Sequence, residues 1–341
     1  MIDLSSILDA YAAARRAGEV GWLATLVEVE GSTYMRPGAR AFITPRGGVV
    51  GLVSGGCLEK DLAEHARALS VDAPRRLVVY DLRDEDDIDF GLGLGCKGKL
   101  TIVIEPIDPH DPANPLERLR AFWNQRPPSP GVVVTALDEA RPATALEREC
   151  TEVLRAGKSR IVALDGKRYF VEYLAPRMSL AIFGAGPDAV PVVHRAKALG
   201  WWVALWDHRE SALANDGFST CDERHLVPVA GLARAAAEAR TTAALVMTHH
   251  YRADAEILRG LAGRQLPYVG LLGPRDRARA LFEELAEPVL ENLHSPAGLD
   301  VGAGTPEAIA LSIIAEIHAV LHGRSGGSLR HRGGPIHDRD A

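Results

Sequence analysis

Two constellations in this 341-residue sequence, each built on glycine-rich chain, set polar or reactive side chains where backbone N–H groups should converge. The first is Ser54-Gly55-Gly56-Cys57-Leu58-Glu59, small residues ahead of an amphipathic run. Amides exposed at a helix start attract anions and stabilise a thiolate, which makes Cys57 a candidate reactive thiol or metal ligand. A second cysteine, Cys96, closes the loop Gly91-Leu92-Gly93-Leu94-Gly95-Cys96, flexible enough to bring its sulfur to an oxyanion, a metal or Cys57. Arg36 and Arg40 flank Pro37-Gly38, a spacing at which two forked guanidinium groups either clamp a phosphate or sit solvated in a hairpin. Glu59 either acts at this site or complements the helix dipole. Residue types alone favour the role of small buried hydrophobe for each cysteine, and Cys150 and Cys221, with no glycine loop around them, fit that role better.

The second stretch is Gly184-Ala185-Gly186-Pro187-Asp188-Ala189, with Asp207 at the end of the following apolar run. Gly184 permits a tight turn, Gly186 lets backbone approach a pyrophosphate, and Ala189 is small enough for close helix-to-strand packing. Asp207 falls where a carboxylate accepts hydrogen bonds from a ribose hydroxyl. The same turn serves equally as compact strand-to-helix geometry in domains that hold no nucleotide. Asp188 sets a negative charge where a phosphate should sit, which opposes anion binding. His249 and His250 follow an apolar run at the end where open α/β sheets take ligands, and either is a site residue or a histidine satisfied by loop backbone and water.

The elements that must hold these residues follow from hydrophobic period and turn residues. An amphipathic helix over residues 3–17 precedes short runs rich in Val, Leu, Ile and Thr at residues 22–32, 39–45 and 49–54, a meander broken by Gly/Pro turns. Residues 57–69 carry apolar side chains at helical spacing, and residues 75–82 and 99–107 read as two more strands. Prolines crowd residues 108–141, around a short helix at 116–123 and a strand at 131–137, and a hairpin turns at Asp165-Gly166. From Met178 onward strands alternate with helices, the pattern of a parallel sheet wound on both faces. Thr305-Pro306-Glu307 opens the last long helix with a cap, a proline and an early acid. The division expected is residues 1–107 as an N-terminal α/β domain, 108–177 as a connecting segment with a short helix and a hairpin, 178–322 as a Rossmann-like domain, and 323–341 as a flexible tail.

Composition bounds the function. An apolar fraction of 47% with 25% charged residues matches a soluble globular chain long enough for two cores. A formal charge of -6 without a long basic run argues against nucleic acid as a partner. No run reaches the roughly eighteen apolar residues of a membrane helix, and no basic leader opens the chain, so a cytoplasmic protein with reduced thiols is expected.

Four segments then carry a resemblance: GSTYMRPGARAFITPRGGVVGLVSGGCLE, GLGLGCKG with the strand ending IEP, LAIFGAGPDAVPV, and SPAGLDVGAGTPEAIALSIIAEI. In this order they resemble the XdhC/CoxI family, the xanthine dehydrogenase accessory factors, and the GGCLE and SPAGLDVGAGTPEAIALSI segments are the specific ones. The resemblance implies an α/β N-terminal domain of XdhC/CoxI type and a Rossmann-like, doubly wound C-terminal domain. It implies a chaperone more than a catalyst, one that binds molybdenum cofactor (molybdopterin) transiently, assists its sulfuration and delivers it to a molybdenum hydroxylase of xanthine or aldehyde dehydrogenase type. By position Cys57 and Cys96 match the family's cysteines and are the expected metal ligands, with Gly55, Gly56, Arg36 and Arg40 around the cofactor. Gly184 and Gly186 match its nucleotide-like turn, where with Asp207 they would receive a pterin phosphate or a linked nucleotide. The sequence departs from the family at Lys97-Gly98, where two glycines are usual, and at Gly-Pro-Asp in the turn, where a histidine is usual. A cysteine desulfurase as second partner and a homodimer are further expectations. The rivals are an NAD(P)-dependent oxidoreductase using the GxGxxA turn, for which no acid, lysine and substrate-clamp set is apparent, and a scaffold with vestigial sites.

Overall fold

The structure is a computed structural model describing residues 4–83, 98–138, 146–285 and 292–333. The chain divides into two compact units, Met1–Pro176 and Arg177–Ala341.

In the first unit α1 (Leu4–Ala17) buries Leu4, Ile7, Leu8, Tyr11 and Ala14, the stripe its three-to-four spacing demands. Strands β1 (Gly21–Gly31), β2 (Arg40–Ile43) and β3 (Val49–Gly51) form the expected meander. After α2 (Glu59–Arg67), β4 (Arg76–Asp81) and β5 (Gly98–Ile107) complete an antiparallel sheet of order β3-β2-β1-β5-β4. Successive side chains of a strand face opposite ways. Ala24, Leu26, Ala41, Ile43, Ile102 and Ile104 therefore meet Leu62, Ala63 and Ala66 of α2. Leu23, Phe42 and Ile107 meet α1 on the other face. The Tyr80 hydroxyl on β4 donates to Asp61, tying α2 to the sheet.

The proline-rich stretch is more than a connector. In α3 (Pro115–Trp123) the first helical residue is proline, and the Asn114 side chain accepts from the Glu117 N–H at 3.0 Å. Its Leu116, Leu119 and Phe122 enter the core around α1. Strand β6 (Gly131–Ala136), helix α4 (Glu147–Ala156), and strands β7 (Arg160–Leu164) and β8 (Lys167–Leu174) follow, the strands forming a second antiparallel sheet of order β6-β8-β7. The Asp165-Gly166 hairpin joins β7 to β8 as expected. Arg40 on β2 and Glu172 on β8 form a buried ion pair between the two sheets, each side chain 7% exposed.

The second unit runs β9 (Ser179–Phe183), α5 (Ala189–Ala198), β10 (Trp202–Asp207), α6 (Glu210–Leu213), β11 (Glu223–Leu226), α7 (Leu232–Glu238), β12 (Ala243–Val246), α8 (Tyr251–Ala262), β13 (Tyr268–Leu271), α9 (Arg275–Leu285), β14 (Leu293–His294) and α10 (Pro306–Leu321). All six strands pair in parallel, in the order β11-β10-β9-β12-β13-β14. Counted from β9 this is 3-2-1-4-5-6, the Rossmann order, with its switch point between β9 and β12. Leu180 and Ile182 of β9 face α5 and α10 while Ala181 and Phe183 face the side covered by α7 and α8. Strands covered on both faces lose polar alternation, which explains the unbroken apolar runs. The Thr305 side chain caps α10, accepting from the Ala308 N–H at 3.2 Å. A 3-10 turn over Leu329–His331 lies near the end of the described chain.

Breaking a buried ion pair leaves one charge stranded, whereas removing both partners does not. Glu172→Gln should destabilise the first unit by about 3 kcal/mol, and Arg40→Met combined with Glu172→Leu should return most of it. Urea denaturation of the full chain decides; a double variant as unstable as the single one would make lost packing, not stranded charge, the cause.

Candidate functional site

Between β3 and α2 the chain turns through Gly55 and Gly56, at φ 101° and 113°, a region that L side chains rarely adopt. Both glycines are exposed, Cys57 is half-buried, and Ser54 and Glu59 beneath them are buried. Glu59 organises the loop. Its Oε1 accepts from the N–H groups of Val53 and Ser54, each at 3.0 Å, and its Oε2 accepts from the Ser54 hydroxyl at 2.7 Å. The Ser54 oxygen in turn accepts from the Leu58 N–H at 3.0 Å and from the Cys57 thiol at 3.4 Å. Burial alone would raise the Glu59 carboxyl, but the Ser54 hydroxyl and the two backbone donors outweigh it and hold the group below the usual range. Glu59 thus has a structural duty beyond complementing the helix dipole. The helix begins at Glu59, two residues later than its periodicity suggests, its first turn closing from the Leu62 N–H to the Leu58 carbonyl at 2.9 Å. Ser54 is the residue whose role sequence reasoning missed; the signal was a hydroxyl five residues before a carboxylate.

The loop over residues 31–39 adjoins this turn, since a Cβ on Gly55 would stand 3.0 Å from the Tyr34 ring. Arg36 on that loop is exposed. Arg40 is not placed as the second arm of a phosphate clamp: its guanidinium is buried against Glu172 and its own loop carbonyl at Gly38, 2.8 Å away. A partner 132 residues distant has claimed its fork. Cys96 lies outside the described residues. Cys57, Cys150 and Cys221 are free thiols. Burial pushes Cys150 up, and burial with neighbouring Asp222 pushes Cys221 up to about 11, so these two resist ionisation, in keeping with their reading as structural.

The second turn sits at the Rossmann switch point. A Cβ on Gly184 (φ 118°) would stand 2.4 Å from the Met247 carbonyl oxygen, which is the close strand-to-strand approach that requires glycine. Asp207 is 2% exposed, and its carboxylate is already occupied. Oδ2 accepts from the Ala185 N–H at 2.6 Å and Arg209 Nη2 at 2.8 Å; Oδ1 accepts from the Arg209 N–H at 2.8 Å and Nε at 3.0 Å. Burial works against ionisation, yet the Arg209 guanidinium and the two backbone donors hold the carboxyl down at about 2. Asp207 therefore braces the turn to the neighbouring strand, where sequence placed it on a ribose. His249 stands at φ 57°, with Nε2 2.7 Å from Asp188 Oδ2. His250 caps α8, its Nδ1 accepting from the Ala253 N–H at 3.2 Å, so it is a structural histidine at this position. Among the described residues no group of three or more His, Cys, Asp and Glu side chains is arranged to hold a metal ion.

An antiparallel α/β unit carrying a glycine-borne cysteine, followed by a unit with the Rossmann strand order, defines a two-part α/β protein built around two glycine turns. Residues 14–81 match the XdhC and CoxI family, and residues 180–317 match the XdhC Rossmann domain. The chain belongs to the XdhC and CoxI family, as its motifs led one to expect. It is 31% identical over 309 residues to a probable xanthine dehydrogenase subunit of Bacillus subtilis, a match covering 86% of this chain and 91% of that protein. With the molybdenum cofactor insertion chaperone PaoD of Escherichia coli it shares 24% identity over 326 residues, 94% of this chain and 90% of that one. The crystal structure of a xanthine dehydrogenase from Bacillus halodurans is similar at a TM-score of 0.69 and 28% identity, covering 95% of this chain and 98% of that one.

Two outcomes follow from these carboxylates. Glu59→Ala strands two buried N–H groups and a hydroxyl and should cost on the order of 3 kcal/mol in urea unfolding, with Glu59→Gln, which keeps an acceptor, losing less. Asp207 is held near 2 against an unfolded value of about 3.9, so its contribution is fully present above about pH 4 and disappears as pH falls through 2. Unfolding measured from pH 5 to pH 2 should show Asp207→Asn less stable than wild type by about 2 kcal/mol at the upper end and converging with it at the lower.

Proposed function

We propose that the chain binds molybdenum cofactor transiently and delivers it, after assisting its sulfuration, to a molybdenum hydroxylase of xanthine or aldehyde dehydrogenase type. The observation that carries this reading is Cys57: a half-buried sulfur on two left-handed glycines, held from below by Ser54 and Glu59. The cofactor cargo is a pterin dithiolene with a metal end and a terminal phosphate. Its chemistry suits the donors present: a soft sulfur for the metal, the exposed turn at Gly55 and Gly56, and the exposed Arg36 for an anion. The face of Gly56 where a Cβ would stand has nothing within 4 Å, leaving room for a ligand against the backbone. Cys96 is the second proposed ligand. The names of the relatives, one a cofactor insertion chaperone and the other a probable xanthine dehydrogenase component, support the same assignment. A cysteine desulfurase as sulfur donor and a homodimer belong to the proposal, as does a cytoplasmic location. Among the described residues no helix is long and apolar enough to cross a membrane.

Anaerobic binding of molybdenum cofactor to the purified protein, with metal and pterin both quantified, tests this. Wild type should bind stoichiometrically, and Cys57→Ala and Cys96→Ala should each weaken binding tenfold or more. Equal affinity in all three proteins would move the site away from the N-terminal loop, and no binding by wild type would remove the cofactor reading altogether.

A further inference from the structure

We propose that Asp188, pinned by His249, is a specificity-determining residue that closes the glycine turn of the C-terminal unit to the pyrophosphate of a dinucleotide. In a Rossmann unit the second glycine of the turn is bare so that a phosphate can lie against its backbone. Here that face is filled from within. Oδ1 of Asp188 stands 2.4 Å from the point a Cβ on Gly186 would occupy, and the ring of His249 comes within 3.9 Å of the same point. The two side chains reach this point from opposite sides of the switch point, Asp188 just ahead of α5 and His249 just beyond β12. The 2.7 Å contact between Asp188 Oδ2 and His249 Nε2 bridges them. His249 holds a left-handed conformation at φ 57°, uncommon for a residue with a side chain, and such backbone persists only where surrounding structure imposes it.

A carboxylate here opposes a dinucleotide twice. It takes the volume of a phosphate oxygen, and it carries the same sign of charge, so the helix-start field of α5 is already met by an anion of the chain itself. Asp207 weakens the ribose end of the site as well, without closing it. A ribose would need its oxygens as acceptors, but four N–H groups from Ala185 and Arg209 already use them. Fold and fingerprint are those of a dinucleotide binder, while the side chains exclude the dinucleotide. This bears against the oxidoreductase alternative and stands apart from the cofactor reading of the N-terminal loop; either can fail without the other.

The test is a titration of full-length protein with NADH, followed by its fluorescence, and with NAD+ and ADP-ribose by calorimetry. Wild type should bind none of them below millimolar concentration. Asp188→Ser should bind at least tenfold tighter than wild type, and Asp188→Asn, nearly isosteric and so a guard against misfolding, should fall between them. His249→Ala, which lets the carboxylate turn away, should also gain, by less than Asp188→Ser. Micromolar binding by wild type overturns the proposal, as does a folded Asp188→Ser and Asp188→Asn pair with no gain; gains in those two without one in His249→Ala overturn the pinning role.

Discussion

In each of this protein's two glycine turns a carboxylate of the chain itself accepts buried backbone N–H groups beside the glycines. Glu59 accepts the amides of Val53 and Ser54, and Asp207 accepts that of Ala185. Buried amide donors must be met by some acceptor, and a charged one makes the strongest hydrogen bond available. Both glycine turns depend on this. Without Glu59 the Gly55-Gly56 bend would leave two buried donors open, and without Asp207 the turn after β9 would lose its brace to β10.

The consequence for Cys57 is one of orientation. Because the Ser54 hydroxyl hydrogen is directed at Glu59, the lone pairs of Ser54 face Leu58 and the sulfur. Cys57 is thus linked through Ser54 to an ion two steps away, and the cysteine side chain itself packs against the core of the first unit. Cys150 and Cys221 have no such support and instead have their ionisation opposed by burial.

What the sequence displays, and what it hides, divides along physical lines. The parallel sheet is legible because strands such as Ser179–Phe183 are buried on both faces and therefore apolar throughout. The meander, the hairpin at Asp165-Gly166 and the cap at Thr305 announce themselves through local chemistry that needs no tertiary information. Helix α4 escapes notice because it is short and mostly polar, with only Val153 of its ten residues buried. Strand β11, Glu-Arg-His-Leu, is a short polar edge with nothing to mark it as part of a sheet. At the sites the residue types were readable and their partners were not. Arg40 looks like a free cation until Glu172 arrives from another sheet, and Asp207 looks like a ribose acceptor until Arg209 folds back on it. Such pairings are decided by tertiary packing, which neither period nor motif encodes.

The short outer strands of the C-terminal sheet also bear on how copies of the chain can associate. One margin is β11 with four residues and the other is β14 with two, so each offers little unsatisfied backbone to another molecule. Continuous sheet across a two-fold axis would have few rungs to build on. A symmetric assembly through this unit is therefore favoured more by side chains than by shared sheet, and its affinity would answer to surface substitutions more than to the backbone.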